Sequence, residues 1–251
     1  MENVQFSEKL FTRLKTCYNI AALTGAGISA ESGVPTFRGK DGLWKNHDVQ
    51  RLATPQALQR DPKLFWEFYR WRRELLETVK PNLGHYALVD LEQKYQGFSL
   101  ITQNVDGLHR VAGNKKIWEI HGNINLTRCN DCHYQLTDSE AELLESEIPL
   151  CPKCSGALRP GVVLFGEMLL PNVLSAAQEA AAQSEIFFSI GTSALVEPAA
   201  SLPYIAKANG AYLVEINMER TPLSDHADEV LLGPSGKILP ALVLQLEKYL
   251  G

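Results

Sequence analysis

The chain has 251 residues, 45% hydrophobic and 21% charged, enough apolar material for one large core or a core with an inserted module, which excludes general disorder. A formal charge of −5 provides no basic field to gather phosphates, so direct binding of nucleic acid is not expected. No stretch approaches the roughly 18 uninterrupted apolar residues of a membrane span, and the opening MENVQFSEKLFTRLK lacks the apolar centre of a signal peptide, so a soluble, cytoplasmic protein is expected.

Phe6, Leu10, Leu14 and Cys17 recur at helical spacing and predict a first helix over about residues 5–18. The run Ile20-Ala21-Ala22-Leu23-Thr24 then predicts a strand that ends in a glycine turn. Further short runs, apolar on both faces, fall at 98–102, 161–165, 185–190, 211–216 and 229–232. Because they alternate with helix-forming stretches, they predict a Rossmann-like α/β fold, a parallel sheet with helices on both faces. Two segments break the alternation: residues 38–82, rich in Trp, Phe and Arg, and residues 123–158, which hold four paired cysteines. The expected organisation is a Rossmann-like unit of residues 1–38, 83–122 and 159–251, with 39–82 and 123–158 forming a smaller helical and zinc-binding unit.

Gly25-Ala26-Gly27-Ile28-Ser29-Ala30 places G-x-G-x-x-A directly after the first strand. Glycines there permit a tight turn and close backbone approach to a pyrophosphate, which a following helix N-terminus favours. The usual acidic residue about 20 positions on, at the end of the next strand, has no counterpart in the region from Asp41 to Asp48. A variant dinucleotide site is implied, with the ribose held by residues further downstream.

Cys129-x2-Cys132 and Cys151-x2-Cys154, separated by 18 residues, have the spacing of a four-thiolate zinc site. Two pairs flanking a polar, acidic loop resemble a structural clip more than a single redox-active CxxC. Four thiolates complete the shell without His133 and leave no open position, so one structural Zn2+ with no catalytic role is expected. Cys17 is left over as a packed thiol.

The run from Gly25 to Gly39, GAGISAESGVPTFRG, resembles the cofactor-binding signature of the sirtuin family. Other sirtuin-like motifs follow in order: Thr102-Gln103-Asn104-Val105-Asp106-Gly107-Leu108-His109, Ile120-His121-Gly122, the CxxC pairs, Arg159-Pro160-Gly161-Val162-Val163-Leu164-Phe165-Gly166-Glu167, Gly191-Thr192-Ser193 and Ile216-Asn217. The resemblance spans nearly the whole chain. It implies an NAD-dependent protein-lysine deacylase that consumes NAD as a co-substrate and yields nicotinamide, O-acyl-ADP-ribose and free lysine.

On that resemblance, Gly25, Ala26, Gly27, Ala30, Thr36, Phe37 and Arg38 hold the dinucleotide. Phe37 would shield the reactive ribose carbon from water, and Arg38 would offer its fork to phosphate oxygens. Gln103, Asn104 and Asp106 would face the nicotinamide end, and Gly191, Thr192, Ser193 and Asn217 the adenosine half. His121 would be the general base on the nicotinamide-side ribose, a role that suits an imidazole of ordinary pKa about 6.5.

Residues 65–74 read as a helix on which Tyr69 and Arg72, three apart, share a face. The pair resembles the Tyr-x-x-Arg of sirtuins that accept succinyl and malonyl groups, the alternative being an amphipathic helix with solvated arginines. Val162, Val163, Phe165, Gly166 and Glu167 are expected to line a groove where the acyl-lysine protein substrate adds as an extended strand; a plain buried strand is the other reading of 162–165. Protein mono-ADP-ribosylation and a non-catalytic NAD or acyl-lysine reader are the competing functions. A monomer without a membrane partner is expected.

Overall fold

The structure is a computed structural model that describes residues 4–36, 43–45 and 47–250. Helix α1 (Glu8–Thr16) starts where the Ser7 side chain accepts the Leu10 N–H and stops where Cys17 turns extended, inside the limits that spacing predicts. Strand β1 (Asn19–Thr24) runs into the short helix α2 (Ala26–Ala30). A hairpin of β2 (Leu43–Trp44) and β3 (His47–Asp48) leads into α3 (Val49–Leu52), α4 (Pro55–Arg60) and the long α5 (Pro62–Thr78). Then come α6 (Leu83–Lys94), β4 (Gly97–Thr102), α7 (Leu108–Ala112), β5 (Ile117–Glu119), β6 (Gly122–Cys129) and β7 (Leu158–Val162). The chain closes with α8 (Pro171–Gln183), β8 (Ile186–Ile190), α9 (Leu202–Ala208), β9 (Tyr212–Asn217), β10 (Glu229–Leu232) and α10 (Ser235–Leu250).

Six strands form one parallel sheet in the order β10-β9-β8-β1-β4-β5, with chain connections running outward in opposite directions from β1 and β8. This is the order of a doubly wound dinucleotide-binding fold, with its switch point between β1 and β8. The expected α/β architecture is present, but one strand is exchanged. The run at 161–165 is expected in the parallel sheet; only its first two residues are strand, at the end of β7, which pairs antiparallel with β6, Cys129 opposite Leu158 and Asn123 opposite Gly161, and 163–165 lie beyond the strand. The three-residue β5 takes the edge of the parallel sheet. An apolar run reports that a strand is buried, not which neighbour it bonds.

Both sheet faces are covered. Leu10 and Leu14 of α1, Leu88 and Leu91 of α6 and Leu239, Leu242 and Leu246 of α10 pack on Ala22, Leu100, Phe188 and Val214. On the opposite face Ala177 and Ala181 of α8 and Leu202 and Ala206 of α9 pack on Leu23, Ile101, Phe187 and Leu213. A third core gathers α3, α4 and α5 against β6, β7, Cys129 and Cys151. Phe65, Trp66, Phe68 and Tyr69 of α5 are almost wholly buried in it, each worth about 1.5–3 kcal/mol of apolar transfer.

Two polar contacts fix how α5 lies on this sheet. The Trp66 indole N–H donates to Leu158 O at 3.1 Å. The β6–β7 register slips between Asn123 and Thr127, which leaves carbonyls of a bulge without ladder partners. Arg73 supplies them, Nε donating to Ile124 O at 2.8 Å and Nη2 to Leu126 O at 3.0 Å and Thr127 Oγ1 at 2.9 Å. No helix among the described residues is long and apolar enough to cross a membrane.

Candidate active site

Thr24, Thr102, Ile190 and Ile216 lie level across four adjacent strands, so the residues that follow them, Gly25, Gln103, Gly191 and Asn217, line one edge of the sheet. This is the carboxyl edge at the switch point, where such sheets bind ligands. Gly25 and Gly27 are needed because the turn after β1 rests on the turn after β8. A Cβ on Gly27 would sit 2.7 Å from Gly191 Cα, and one on Gly191, which has φ +58°, 2.5 Å from Ile28 N. Thr192 joins the strand ends, accepting from Gln103 Nε2 at 3.0 Å on its hydroxyl and from Asn217 Nδ2 at 3.0 Å on its carbonyl. Ala26 and Ser193 are half-buried beside these turns, Ala30 is exposed at the end of α2, and Thr36 is half-buried in the loop beyond it. Phe37 and Arg38 lie outside the described residues.

Beneath this edge lies a buried polar layer. Asn104 Nδ2 donates to Gly25 O and Ser29 Oγ, both at 3.1 Å. Ser29 Oγ donates to Asp106 Oδ2 at 2.7 Å, and the Leu108 N–H donates to Asp106 Oδ1 at 2.9 Å. Burial still pushes the Asp106 carboxyl above its usual range, because those donors only partly offset lost hydration. His85 Nε2 lies 3.5 Å from Ser29 Oγ, and its ring centre is 4.7 Å from that of His109, which contacts Thr24 Oγ1 through Nε2 at 3.0 Å. No role is expected from sequence for Ser29, His85 or His109, although Ser29 and His109 lie inside the sirtuin-like runs 25–39 and 102–109.

His121 follows β5, one strand over from Gln103. Its Nδ1 is 2.9 Å from Gln103 O. A carbonyl only accepts, so Nδ1 carries the proton and the Nε2 of the neutral ring keeps its lone pair. Burial lowers the His121 pKa, and the bond to Gln103 opposes part of that shift. Gly122, at φ +79°, lets the chain turn into β6: a Cβ there would lie 2.1 Å from Gly161 O. The His121 carbonyl accepts the Val163 N–H at 2.9 Å, which ties the imidazole's backbone to the segment after β7.

Val162 and Leu164 point into the third core, Val163 is half-buried, and Phe165 and Gly166 are exposed. Glu167 turns inward and accepts a two-pronged bond from Arg159. On α5, Tyr69 is buried and its hydroxyl is pushed up to about 12 by burial, with Arg72 and Arg159 opposing and Glu167 adding to the shift. The half-buried Arg72 places Cζ 5.6 Å from the Phe68 ring centre and 5.8 Å from that of Tyr69. Burial lowers its pKa, while Tyr69 and Asp106 raise it, so Arg72 feels both α5 and the buried polar layer.

The four paired cysteines converge, all Sγ atoms lying within 4.8 Å of one another. Cys129–Cys154 and Cys132–Cys151 approach to 3.5 and 3.7 Å, close to the ~3.8 Å between thiolates that share a tetrahedral zinc. Backbone N–H groups of Asp131 and Cys132 point at Cys129 Sγ, and that of Lys153 at Cys151 Sγ, the donors a thiolate needs. The donor set and spacing fit one structural zinc ion with its shell filled by cysteine.

A family model for the Sir2 family matches residues 25–198. An NAD-dependent protein deacylase of Aquifex aeolicus is 52% identical over 210 residues, 84% of this chain and 87% of that protein. The crystal structure of a Sir2 homolog–NAD complex superposes with a TM-score of 0.92 at 42% identity, covering 100% of this chain and 98% of that one. A Sir2–p53 peptide–NAD+ structure gives a TM-score of 0.85 at 32% identity, covering 96% and 98%. With its sheet order, strand-edge residues and four-cysteine cluster in place, the chain belongs to the Sir2 family.

Proposed function

We propose that this protein removes acyl groups from protein lysines with NAD as the co-substrate, and that the division into a Rossmann-like unit and a smaller zinc-bearing unit frames the cleft where it does so. The observation that carries the reading is the His121 imidazole at the carboxyl edge, protonated on Nδ1 by its bond to Gln103 O and basic on Nε2. NAD, when bound, would supply a ribose carbon from which nicotinamide departs as the acyl oxygen takes its place, with water providing the oxygen needed to free the lysine amine. His121 Nε2 removes the proton from the neighbouring ribose hydroxyl. Asn104 and Asp106, held by Ser29, orient the nicotinamide amide, and Gly25, Gly27, Gly191, Thr192, Ser193 and Asn217 hold the rest of the dinucleotide. Ala26, Ala30, Thr36, Phe37 and Arg38 complete the cofactor loop.

The acyl-lysine peptide adds along Val162, Val163, Phe165 and Gly166, backbone to backbone. Arg72, beside Tyr69, grips the distal carboxylate of succinyl or malonyl groups with its planar fork. Incubating acetyl-, succinyl- and malonyl-lysine peptides with NAD and weighing the products tests both claims. Free lysine peptide together with O-acyl-ADP-ribose is expected; ADP-ribose bound to protein, or no NAD turnover, refutes deacylation. Arg72→Met should cut turnover of the acidic acyl groups at least tenfold while sparing acetyl, and equal loss on all three refutes the acyl-selectivity assignment.

A further inference from the structure

Arg159 of β7 has 1% of its surface exposed. Its guanidinium is nevertheless well partnered: Nη1 to Glu167 Oε1 at 2.5 Å, Nη2 to Glu167 Oε2 at 2.8 Å and to Val162 O at 2.8 Å, with a long contact from Nη1 to Asn130 Oδ1 at 3.4 Å. Only Nε lacks a partner. Such a fork-to-fork pair is among the stronger and more directional noncovalent bonds between side chains, formed here with the guanidinium buried and the Glu167 side chain 24% exposed.

The pair spans a loop with few other anchors. Between its two ends the Val163 N–H reaches His121 O, the Phe165 N–H reaches Ala53 O, and Gly166 turns with φ +88°. Glu167 also accepts the Leu164 N–H at 2.8 Å and returns its own N–H to Leu164 O at 3.0 Å. The segment is therefore held from beneath by one carboxylate, while Phe165 and Met168 face outward, 51% and 88% exposed.

We infer that Arg159 is a positioning residue for the acyl-peptide: through Glu167 it fixes the segment that follows β7, residues 163–167 with their turn at Leu164–Glu167, before the substrate arrives. The inference rests on the reading that the peptide adds along this segment. A preformed segment removes the ordering cost that peptide binding would otherwise bear, so the pair acts on peptide affinity and leaves NAD affinity alone.

Two variants separate charge from geometry. Glu167→Gln keeps the shape and removes the charge; Arg159→Lys keeps the charge and removes the fork. Steady-state kinetics varying each co-substrate, with anisotropy of a labelled acyl-lysine peptide, should show peptide KM and Kd rising about tenfold in each. The kcat and the KM for NAD should stay within about twofold, and bound zinc should be unchanged. Phe165→Asp, on the outward face, serves as the control. Unchanged peptide KM in Phe165→Asp refutes the groove itself. A rise there with peptide KM unchanged in Glu167→Gln overturns the positioning role, as does a Glu167→Gln loss spread equally over kcat, NAD and peptide. If Arg159→Lys does not fold, Glu167→Gln alone decides.

Discussion

At the residue scale, the proposed chemistry turns on one imidazole and the carbonyl that sets its tautomer. Because burial lowers the His121 pKa, the neutral base persists below the ordinary value of about 6.5. Activity that needs this base is lost only as pH falls through the lowered value, so the acid limb of the kcat profile should lie below pH 6.5; a midpoint at or above 6.5 contradicts the assignment. His121→Ala should reduce kcat by about 10²–10⁴-fold while NAD still binds, measured by product mass and by calorimetric titration. The place of Gln103, Asn104 and Asp106 at the carboxyl end of β4 was legible beforehand, since they follow an apolar run and strand ends are where a parallel sheet places its ligands. The role expected of His121, by contrast, came from the sirtuin resemblance alone. The inward turn of Glu167 onto Arg159 was not legible. Nothing in a string of residues tells a carboxylate that meets a substrate from one that meets a buried guanidinium eight positions away.

The decisive element is α5, which faces two ways. Arg72 feels Asp106 of the buried polar layer, while Tyr69 sits in the third core and Trp66 and Arg73 bind the helix to β6 and β7. Burial and neighbouring Arg70 bring the Arg73 pKa down to about 10, which leaves it charged at neutral pH and its bonds to the bulge charge-assisted. Arg73→Met strips partners from the Ile124 and Leu126 carbonyls and should cost about 1.5–3 kcal/mol, read as a lower urea midpoint at unchanged slope. A midpoint equal to that of the parent protein would show the bulge to be satisfied by other groups. The helix itself was plain from its length and aromatic content. The bulge was not, because a register slip depends on the partner strand, and Leu158-Arg159-Pro160-Gly161-Val162 carries no strand pattern of its own that would reveal its pairing.

Taken as a whole, the molecule keeps two neutral histidines in its interior, which couples its stability to pH. Burial holds His85 down to about 4 and His109 well below its ordinary value, with His85 itself disfavouring charge on His109. The groups facing them are Ser29, Thr24 and Asn82, none of which carries a charge to stabilise an imidazolium. Unfolding frees both rings to bind protons once pH drops below about 6.5, so stability present above 6.5 is lost as pH falls toward 4. For His85 alone the loss is ~2 kcal/mol at pH 5 relative to pH 7.5. The cysteine cluster adds its own acid sensitivity, since protons compete with metal for thiolates. Comparison of parent and His85→Gln removes that contribution, because both keep the four cysteines. Urea midpoints at pH 7.5 and 5, with zinc content measured at each, should fall further for the parent than for His85→Gln as the pH is lowered; equal falls would mean that His85 binds its proton equally well in the folded and unfolded chain and that burial does not lower its pKa.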